Sequence, residues 1–430
     1  MRIGGFMGLT VNGYSVVFIT LITFLTSLVL VPFVKKIATH VGALDMPNER
    51  KVHKEPMPRM GGLAIFAAFL LGYMLFARTS IQMLSILIGG FIIVLTGIVD
   101  DIKPIRARTK LLMQVVAASI VVFYGDIVLD YFNIFGFDIY FITPINYIVT
   151  IIFIVAIMNA INFIDGLDGL AAGLSSIYFL TIAIIAFILN RNEGLDTILS
   201  LIMLGSTLGF LVHNFNPAKI FMGDTGSLFL GFTISVIALL GFKATTVTSL
   251  IVPLIILAIP IFDTLLAILR RILKGESIGA PDKDHLHHQL LKMKFSVKST
   301  VLIIYAIDLL FASISIFYVL GDAKIAMYIY IALMLLLLFL VIKTDILFLH
   351  NKDKKCECCE NHEEHNVCND ENSLCDCDID KEVIINDKEE TDEKEVNLEN
   401  ASEVKDVSSK TKKATNKRKS KSKKKKKNKK

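Results

Sequence analysis

Residues 159–175 read "NAINFIDGLDGLAAGLS". Apolar runs flank them, 145–157 before and 177–189 after. Such runs suit lipid, yet the stretch between them holds Asn159, Asn162, Asp165, Asp168 and three glycines. The flanks decide the fold, and the polar insert raises the question of what that fold serves.

The chain has 430 residues and is 53% hydrophobic. Apolar runs fall at roughly 14–38, 61–77, 81–99, 110–125, 145–161, 167–189, 195–213, 226–242, 248–270, 299–319 and 324–342. Most are long enough to cross a hydrocarbon core of roughly 30 Å. A backbone in lipid must satisfy its own hydrogen bonds, so each run is expected to be a helix. The expected fold is all-α: a polytopic integral membrane protein with about eleven transmembrane helices. No internal repeat is visible, so an inverted-repeat transporter gains no support. Arg2 is the only early charge, no small-residue cleavage site follows, and the first run ends in Lys35 and Lys36, so a cleaved signal is not expected.

Eleven crossings put the termini on opposite faces, and Lys and Arg choose between them. The connections after odd-numbered runs carry eighteen of these residues and the other face carries five. The N-terminus is therefore expected outside and the C-terminus in the cytoplasm. The polar motifs then share the cytoplasmic face: "PNERKVHKEPMPRMGG" (47–62), "GIVDDIKPIRARTK" (97–110), the opening stretch, "HNFNPAKIFMGDTGS" (213–227) and "PDKDHLHHQLLKMK" (281–294).

Asp100 and Asp101 end a crossing, where carboxylates are unfavourable unless paired, hydrated or metal-bound. Arg106 and Arg108 are near enough in sequence to neutralise them. Asn159, Asn162, Asp165 and Asp168 recur in steps of three, so neighbours in that series would share a helix face. Gly166 and Gly169 weaken a helix there and admit a ligand to the backbone. Asp224 and Thr225 admit two readings. They are N-cap residues for a helix starting near Ser227, or they belong to a hard-cation site beside a phosphate at a helix N-terminus. Oxygen donors without a thiol favour Mg²⁺ over Zn²⁺. His285, His287 and His288 do not share one helix face and imply an irregular loop, and no H-E-x-x-H is present. Carboxylates, an Asn pair, His and Lys/Arg together suit the meeting of two phosphates, whose charge a cation and basic donors must offset.

These five motifs, in this order over about residues 14–345, resemble the polyprenyl-phosphate N-acetylhexosamine-1-phosphate transferases. "PNERKVHK", "PIFDTLLAILRR" and "HLHH" look most like the undecaprenyl-phosphate N-acetylglucosamine-1-phosphate transferases of teichoic-acid and related surface-polymer pathways. The sister group, the phospho-N-acetylmuramoyl-pentapeptide transferases, usually shows three consecutive His, a run that Leu286 breaks here. The resemblance implies that undecaprenyl phosphate attacks the β-phosphorus of UDP-N-acetylglucosamine and releases UMP. It implies Mg²⁺, with Mn²⁺ as a substitute, held by Asp224 and Asn162. Asp100 and Asp101 would sit at the reacting phosphates, with Asp165 and Asp168 lining the same cleft. Asp168, Asn214 and Phe221 match uridine-holding positions of the sister group, as does Lys54 in a loop that differs. His285, His287 and His288 would hold the nucleotide sugar. Asp263 carries no assigned role, and pairing with Arg270 or Arg271 is one reading. Expected partners are the two substrates, membrane lipid and a second copy of the chain, in a bacterial plasma membrane. The competing class is an ion transporter, which predicts ionisable groups near mid-membrane.

The expected division is a transmembrane domain at 1–350 and a disordered cytoplasmic tail at 351–430. Acidic residues crowd 353–403, Lys crowds 410–430, and neither block can bury a core. All six Cys lie in the tail, with His362 and His365, at spacings that are not paired C-x₂-C. The Cys and His admit a soft metal or a reduced segment that binds none, and the Lys run suits anionic lipid or, equally, nonspecific contact with nucleic acid.

Overall fold

The computed structural model describes residues 10–46, 55–134, 137–243, 250–275 and 285–343. Lys54 and the tail, with the expectations placed on them, lie outside the described residues. The helices are α1 (Val16–Val41), α2 (Gly62–Phe76), α3 (Ile81–Ile102) and α4 (Ala107–Ser119), the last continued by a π-helical turn at Ile120–Tyr124. Then come α5 (Ile145–Ile164), α6 (Leu170–Ile188), α7 (Leu195–Asn214), α8 (Gly223–Lys243), α9 (Ile251–Ile256), α10 (Ala258–Lys274), α11 (Leu286–Lys292), α12 (Val297–Leu320) and α13 (Ala323–Lys343). Three two-stranded antiparallel pairs decorate the ends: β1 (Thr10–Val11) with β2 (Tyr14–Ser15), β3 (Leu44–Asp45) with β4 (Met57–Pro58), and β5 (Tyr131–Ile134) with β6 (Phe137–Tyr140).

Among the described residues, nine helices are long and apolar enough to cross a membrane. The protein is a polytopic helical membrane protein. Two of the eleven expected runs depart from that picture. The run at 61–77 forms α2, 15 residues and so roughly 22 Å long. The run at 248–270 breaks at Leu257, where α9 ends and α10 begins. Pro260 explains the break, because it has no N–H for the Ile256 carbonyl and its ring crowds that turn. In the first turn of α10 its missing donor is no loss. α10 turns Asp263, Ala267, Arg270 and Arg271 inward and leaves Leu265, Leu269, Ile272 and Leu273 exposed. A single lipid-facing span over 248–270 is therefore not what forms.

The bundle is built around α8, which packs against α2, α3, α5 and α7 and is almost wholly buried. α1 and α13 lie at the rim, bury few residues and expose about half of their large apolar side chains. Without a hydrophobic drive between helices in lipid, close backbone approach supplies the packing. α8 meets its neighbours through glycines. A Cβ on Gly62 would collide with the Gly226 backbone, and one on Gly97 would collide with the backbone of Thr225. A Cβ on Gly231 would lie 2.5 Å from Met158 Cα of α5. On the other side, Gly205 and Gly209 of α7 abut the α1 backbone at Thr20 and Phe24.

Polar groups inside the bundle are mostly paired. Thr23, Ser176, Thr207 and Thr233 return their hydroxyls to carbonyls of their own helices. At one end, Arg191 reaches Asp196 at 2.7 Å and donates to the Gly241 carbonyl at 3.0 Å, tying the α6–α7 connection to α8. Asp308 is an ionisable residue that the sequence reading passed over. It sits midway along α12, 1% exposed.

Replacing Gly97 with Ala should push α3 off α8. Overpacking of this kind costs about 1–3 kcal/mol, so the melting temperature in detergent should fall by roughly 2–10 °C. Gly241→Ala is the control, because its nearest neighbour is 3.9 Å away, and it should melt within roughly 1 °C of wild type. Equal melting temperatures for the two variants would contradict the packing described.

Candidate active site

The first N–H groups of a helix have no partner within it. For α8, at the centre of an apolar bundle, that partner comes from α3. Asp101, 2% exposed, accepts the Asp224 N–H at 3.0 Å on Oδ1. On Oδ2 it accepts the Thr225 N–H at 3.1 Å and the Thr225 hydroxyl at 2.6 Å. Gly223 makes room for this: its φ is +70°, and a Cβ there would strike the Asp101 carboxylate. The expected start near Ser227, capped by Asp224 or Thr225, is thus corrected. The helix begins at Gly223 and its cap is supplied in trans. Arg59 completes the junction from the other direction. Its Nε and Nη2 each donate at 3.0 Å, to the Asp101 and Asp100 carbonyls, which belong to the unsatisfied C-terminal turn of α3.

This junction sets the place of Asp224. Lys110 of α4 pairs with Asp224 Oδ2 and lies 3.2 Å from Asp100 Oδ2. Asn162 of α5 donates to Asp224 Oδ1 at 3.2 Å and to the Ser227 hydroxyl at 2.8 Å. Asp100 also accepts the Ile105 N–H at 3.0 Å. The counter-charge for the aspartate pair is therefore Lys110, together with Arg59, while Arg106 and Arg108 are exposed. Sequence reading counted Lys110 and Arg59 only as positive-face charges. The signal for Lys110 was present, four residues beyond Arg106 and so one helical turn inward.

α5 ends at Ile164, so Asp165 and Asp168 leave the helix that the spacing of three implied. Their loop is pinned at several points. Asp168 Oδ2 accepts from Asn216 Nδ2 at 2.8 Å and from the Ala218 N–H at 3.0 Å. Asn214, 3% exposed, accepts the Gly169 N–H and donates to the Ile220 carbonyl, so both ends of its amide hold backbone. Tyr305 of α12 donates to the Gly169 carbonyl at 2.5 Å. Asn159 does not join the loop. It faces Gln114 of α4 instead, which separates the two asparagines that the sequence grouped together.

The histidines are more ordered than the irregular loop expected of them. His285 precedes α11, and His287 and His288 lie within that helix. Asp263 explains why: it accepts the Leu286 N–H at 2.9 Å and pairs with His285 Nδ1 at 2.8 Å, capping α11 and orienting the ring. His287 is 1% exposed, against Gly166, and neither ring nitrogen has a partner among the described residues. Burial, reinforced by His288, pushes its pKa down to about 3, so it stays neutral near pH 7.

These ends enclose a cleft of about 590 Å³. Of the sequence-derived candidates, Asp101, Asn162, Asp165, Asp168, Asn214, Phe221, Asp224 and His288 line it. Asp100, His285 and His287 stand behind that lining, and Lys54 lies outside the described residues. Asp45 and Arg59 join the wall, residues the sequence did not single out. Five aspartates thus face one cleft, with Arg59 among them. Asp165 accepts no hydrogen bond from the described residues, and burial followed by the Asp224, Asp101 and Asp168 carboxylates pushes its pKa well up. Asp165, Asp224 and the Asn162 amide line the cleft together and carry oxygens of the kind a hard divalent cation takes, while no three Asp, Glu, His or Cys side chains are gathered at metal-ligand spacing among the described residues.

The strain at Asp165 predicts a pH signature. Its raised folded-state pKa means that the ionised carboxylate opposes folding at neutral pH, and that this opposition fades as pH falls toward the ordinary value of 3.8. In EDTA, Asp165→Asn should raise the melting temperature at pH 7.5, and the gain should shrink steadily toward pH 4.5. A pH-independent gain, or none at neutral pH, would remove the electrostatic account.

Comparison with known proteins agrees with the architecture. The model for glycosyl transferase family 4 matches residues 83–242, which span α3 to α8. A probable undecaprenyl-phosphate N-acetylglucosaminyl 1-phosphate transferase of Bacillus subtilis is 45% identical over 338 residues, covering 78% of this chain and 93% of that protein. A decaprenyl-phosphate N-acetylglucosaminephosphotransferase of Mycolicibacterium smegmatis is 36% identical over 64% of this chain and 74% of its own. An undecaprenyl-phosphate alpha-N-acetylglucosaminyl 1-phosphate transferase of Escherichia coli K12 is 30% identical over 66% and 78%. With identity sustained over nearly the whole Bacillus relative, and the family model lying on the helices that form the cleft, this chain belongs to glycosyl transferase family 4.

Proposed function

We propose that this protein transfers N-acetylglucosamine 1-phosphate from UDP-N-acetylglucosamine to undecaprenyl phosphate and releases UMP. The extensive identity to the Bacillus transferase supports this reading over the pentapeptide-transferring sister group. The observation that carries the chemistry is the unpaired Asp165 carboxylate among Asp224, Asp101 and Asp168. Phosphates cannot enter a cleft of that charge without a cation. Mg²⁺ is the proposed cofactor, held by Asp224 and Asn162 with Asp165 beside them. Bound there, it would offset the charge on the phosphoryl oxygens.

The chain's own residues then divide the work. An oxygen of the lipid phosphate attacks the β-phosphorus, the bond from that phosphorus to the UMP oxygen breaks, and UMP carries away the electron pair. The second pKa of a phosphate monoester is about 6, so the nucleophile is already largely dianionic at pH 7. No general base is required. Asp100 has one oxygen on the Ile105 N–H and the other beside Lys110. That arrangement suits a fixed charge holding Lys110 in place rather than a covalent nucleophile. Lys110 and Arg59 supply the positive charge beside the reacting groups, in the manner of preorganised electrostatic stabilisation. Asp168 and Asn214 keep the 214–218 loop against Gly169, where a uridine would sit beside Phe221.

The cleft is proposed to face the cytoplasm. The C-terminal ends of α3, α5 and α7 and the N-terminal ends of α2 and α8 meet at it, and Lys and Arg concentrate in these connections. The apolar sides of the bundle let the lipid carrier approach within the bilayer, in a bacterial plasma membrane.

Membranes carrying the protein, given undecaprenyl phosphate, Mg²⁺ and UDP-N-acetylglucosamine, should release UMP and form an organic-extractable sugar lipid, and EDTA should stop both. Product from UDP-MurNAc-pentapeptide alone would reassign the donor, and product from neither would refute the transferase. Lys110→Met and Asp224→Asn should each lower turnover by at least about 100-fold, whereas Arg106→Ala, on an exposed residue, should stay within about twofold.

A further inference from the structure

Gln114 and Asn159 form a polar contact that the reaction does not use. Gln114 is 1% exposed, within α4. Its Oε1 accepts from Asn159 Nδ2 at 2.9 Å and its Nε2 donates to Asn159 Oδ1 at 3.3 Å, so the two amides are joined reciprocally across α4 and α5. Asn159 Nδ2 also donates to the Val155 carbonyl at 2.7 Å, which anchors the pair to α5. The cleft lining includes neither residue.

Helix periodicity gives this contact a consequence. Lys110 and Gln114 are four apart on α4, and Asn159 and Asn162 are three apart on α5, so each amide shares a face with a residue one turn nearer the cleft. Those two residues hold opposite oxygens of one carboxylate: Lys110 pairs with Asp224 Oδ2, and Asn162 donates to Asp224 Oδ1. The separation of α4 from α5 therefore fixes the clamp on Asp224. Apolar contact alone tolerates sliding between helices, whereas a two-way amide pair accepts one separation and one register.

We propose that Gln114 and Asn159 are a positioning pair, a spacer whose combined side-chain length sets the Lys110–Asn162 clamp around Asp224. The pair acts through those residues and touches no substrate. The inference rests on the reading of Asp224 and Asn162 as the cation site. One side chain has two methylenes and the other has one. Gln114→Asn makes the spacer one methylene short, Asn159→Gln makes it one too long, and the exchange Gln114→Asn/Asn159→Gln restores the total. Gln114→Leu/Asn159→Leu keeps packing volume but removes the hydrogen bonds.

The test measures Mn²⁺ affinity by electron paramagnetic resonance on purified protein without substrates, and kcat and KM for UDP-N-acetylglucosamine. Groups that orient a metal site from behind typically alter affinity or turnover by about 10–100-fold. Each single variant should lose about tenfold in Mn²⁺ affinity and at least tenfold in kcat with KM changed less than about threefold, and the exchange should recover most of both. The double-Leu variant should melt near wild type yet keep the kinetic defect. Singles that match wild type, an exchange that repairs nothing, or a double-Leu variant with full turnover would each overturn the spacer. Wild-type protein that binds no Mn²⁺ would refute the cation reading instead, and the kcat values of the four variants alone would then decide the spacer.

Discussion

The junction between Asp101 and the start of α8 is the constraint on which the site depends. A helix that begins inside an apolar bundle has N–H groups that neither lipid nor water can satisfy. One buried carboxylate accepts two of them and a hydroxyl as well. Because that carboxylate closes α3, the carbonyl end of one helix is brought against the amide end of another. The two dipoles then favour each other. Arg59 stands over the α3 carbonyls and finishes the arrangement. Everything that approaches Asp224 does so relative to this fixed corner.

Glycines let the corner close. Gly62, Gly97 and Gly226 bring α2, α3 and α8 into backbone contact at the level of Thr225. The segment from Pro58 to Gly62 exchanges backbone hydrogen bonds with Phe221 and Met222, so the loop before α8 is held as firmly as the helix itself. Asp168, Asn214 and Tyr305 hold the loop after α5 in the same way. A cleft rich in carboxylates survives because donors hold most of them, several of which line the cleft themselves. Asp165 is the exception, a carboxylate that accepts no hydrogen bond from the described residues.

The opposite distribution holds for α10 and α12. α10 turns its charged residues inward and its leucines outward, the reverse of a water-soluble amphipathic helix, because its surroundings are lipid on one side and protein on the other. Asp308 lies mid-way along α12, as the transporter class predicts of its ionisable groups, but it stands apart from the five aspartates that share the cleft. The concentration of carboxylates at one end of the bundle, not their mere presence, distinguishes the two classes.

Composition alone determined much here. Runs of about 20 apolar residues compel helices, since lipid offers the backbone no other partner, and the recurring Asp, Asn and His in the connections marked the end of the bundle where the cleft lies. Local pattern also named six residues that line the cleft, and the family resemblance added Asn214 and Phe221. It could not tell which side chains face a ligand and which hold a neighbour, because that depends on partners remote in the chain. Asp101 reads like Asp100 until α8 is placed 123 residues away. Asn159 reads like Asn162 until Gln114 is set opposite it. Lys110 reads as one more positive charge until α4 swings it between two aspartates, and the 248–270 run reads as a span until Pro260 divides it. Burial and hydrophobicity are properties of residues and survive in the sequence, whereas the pairing of a charge or an amide is a property of two positions, and only the folded bundle supplies the second.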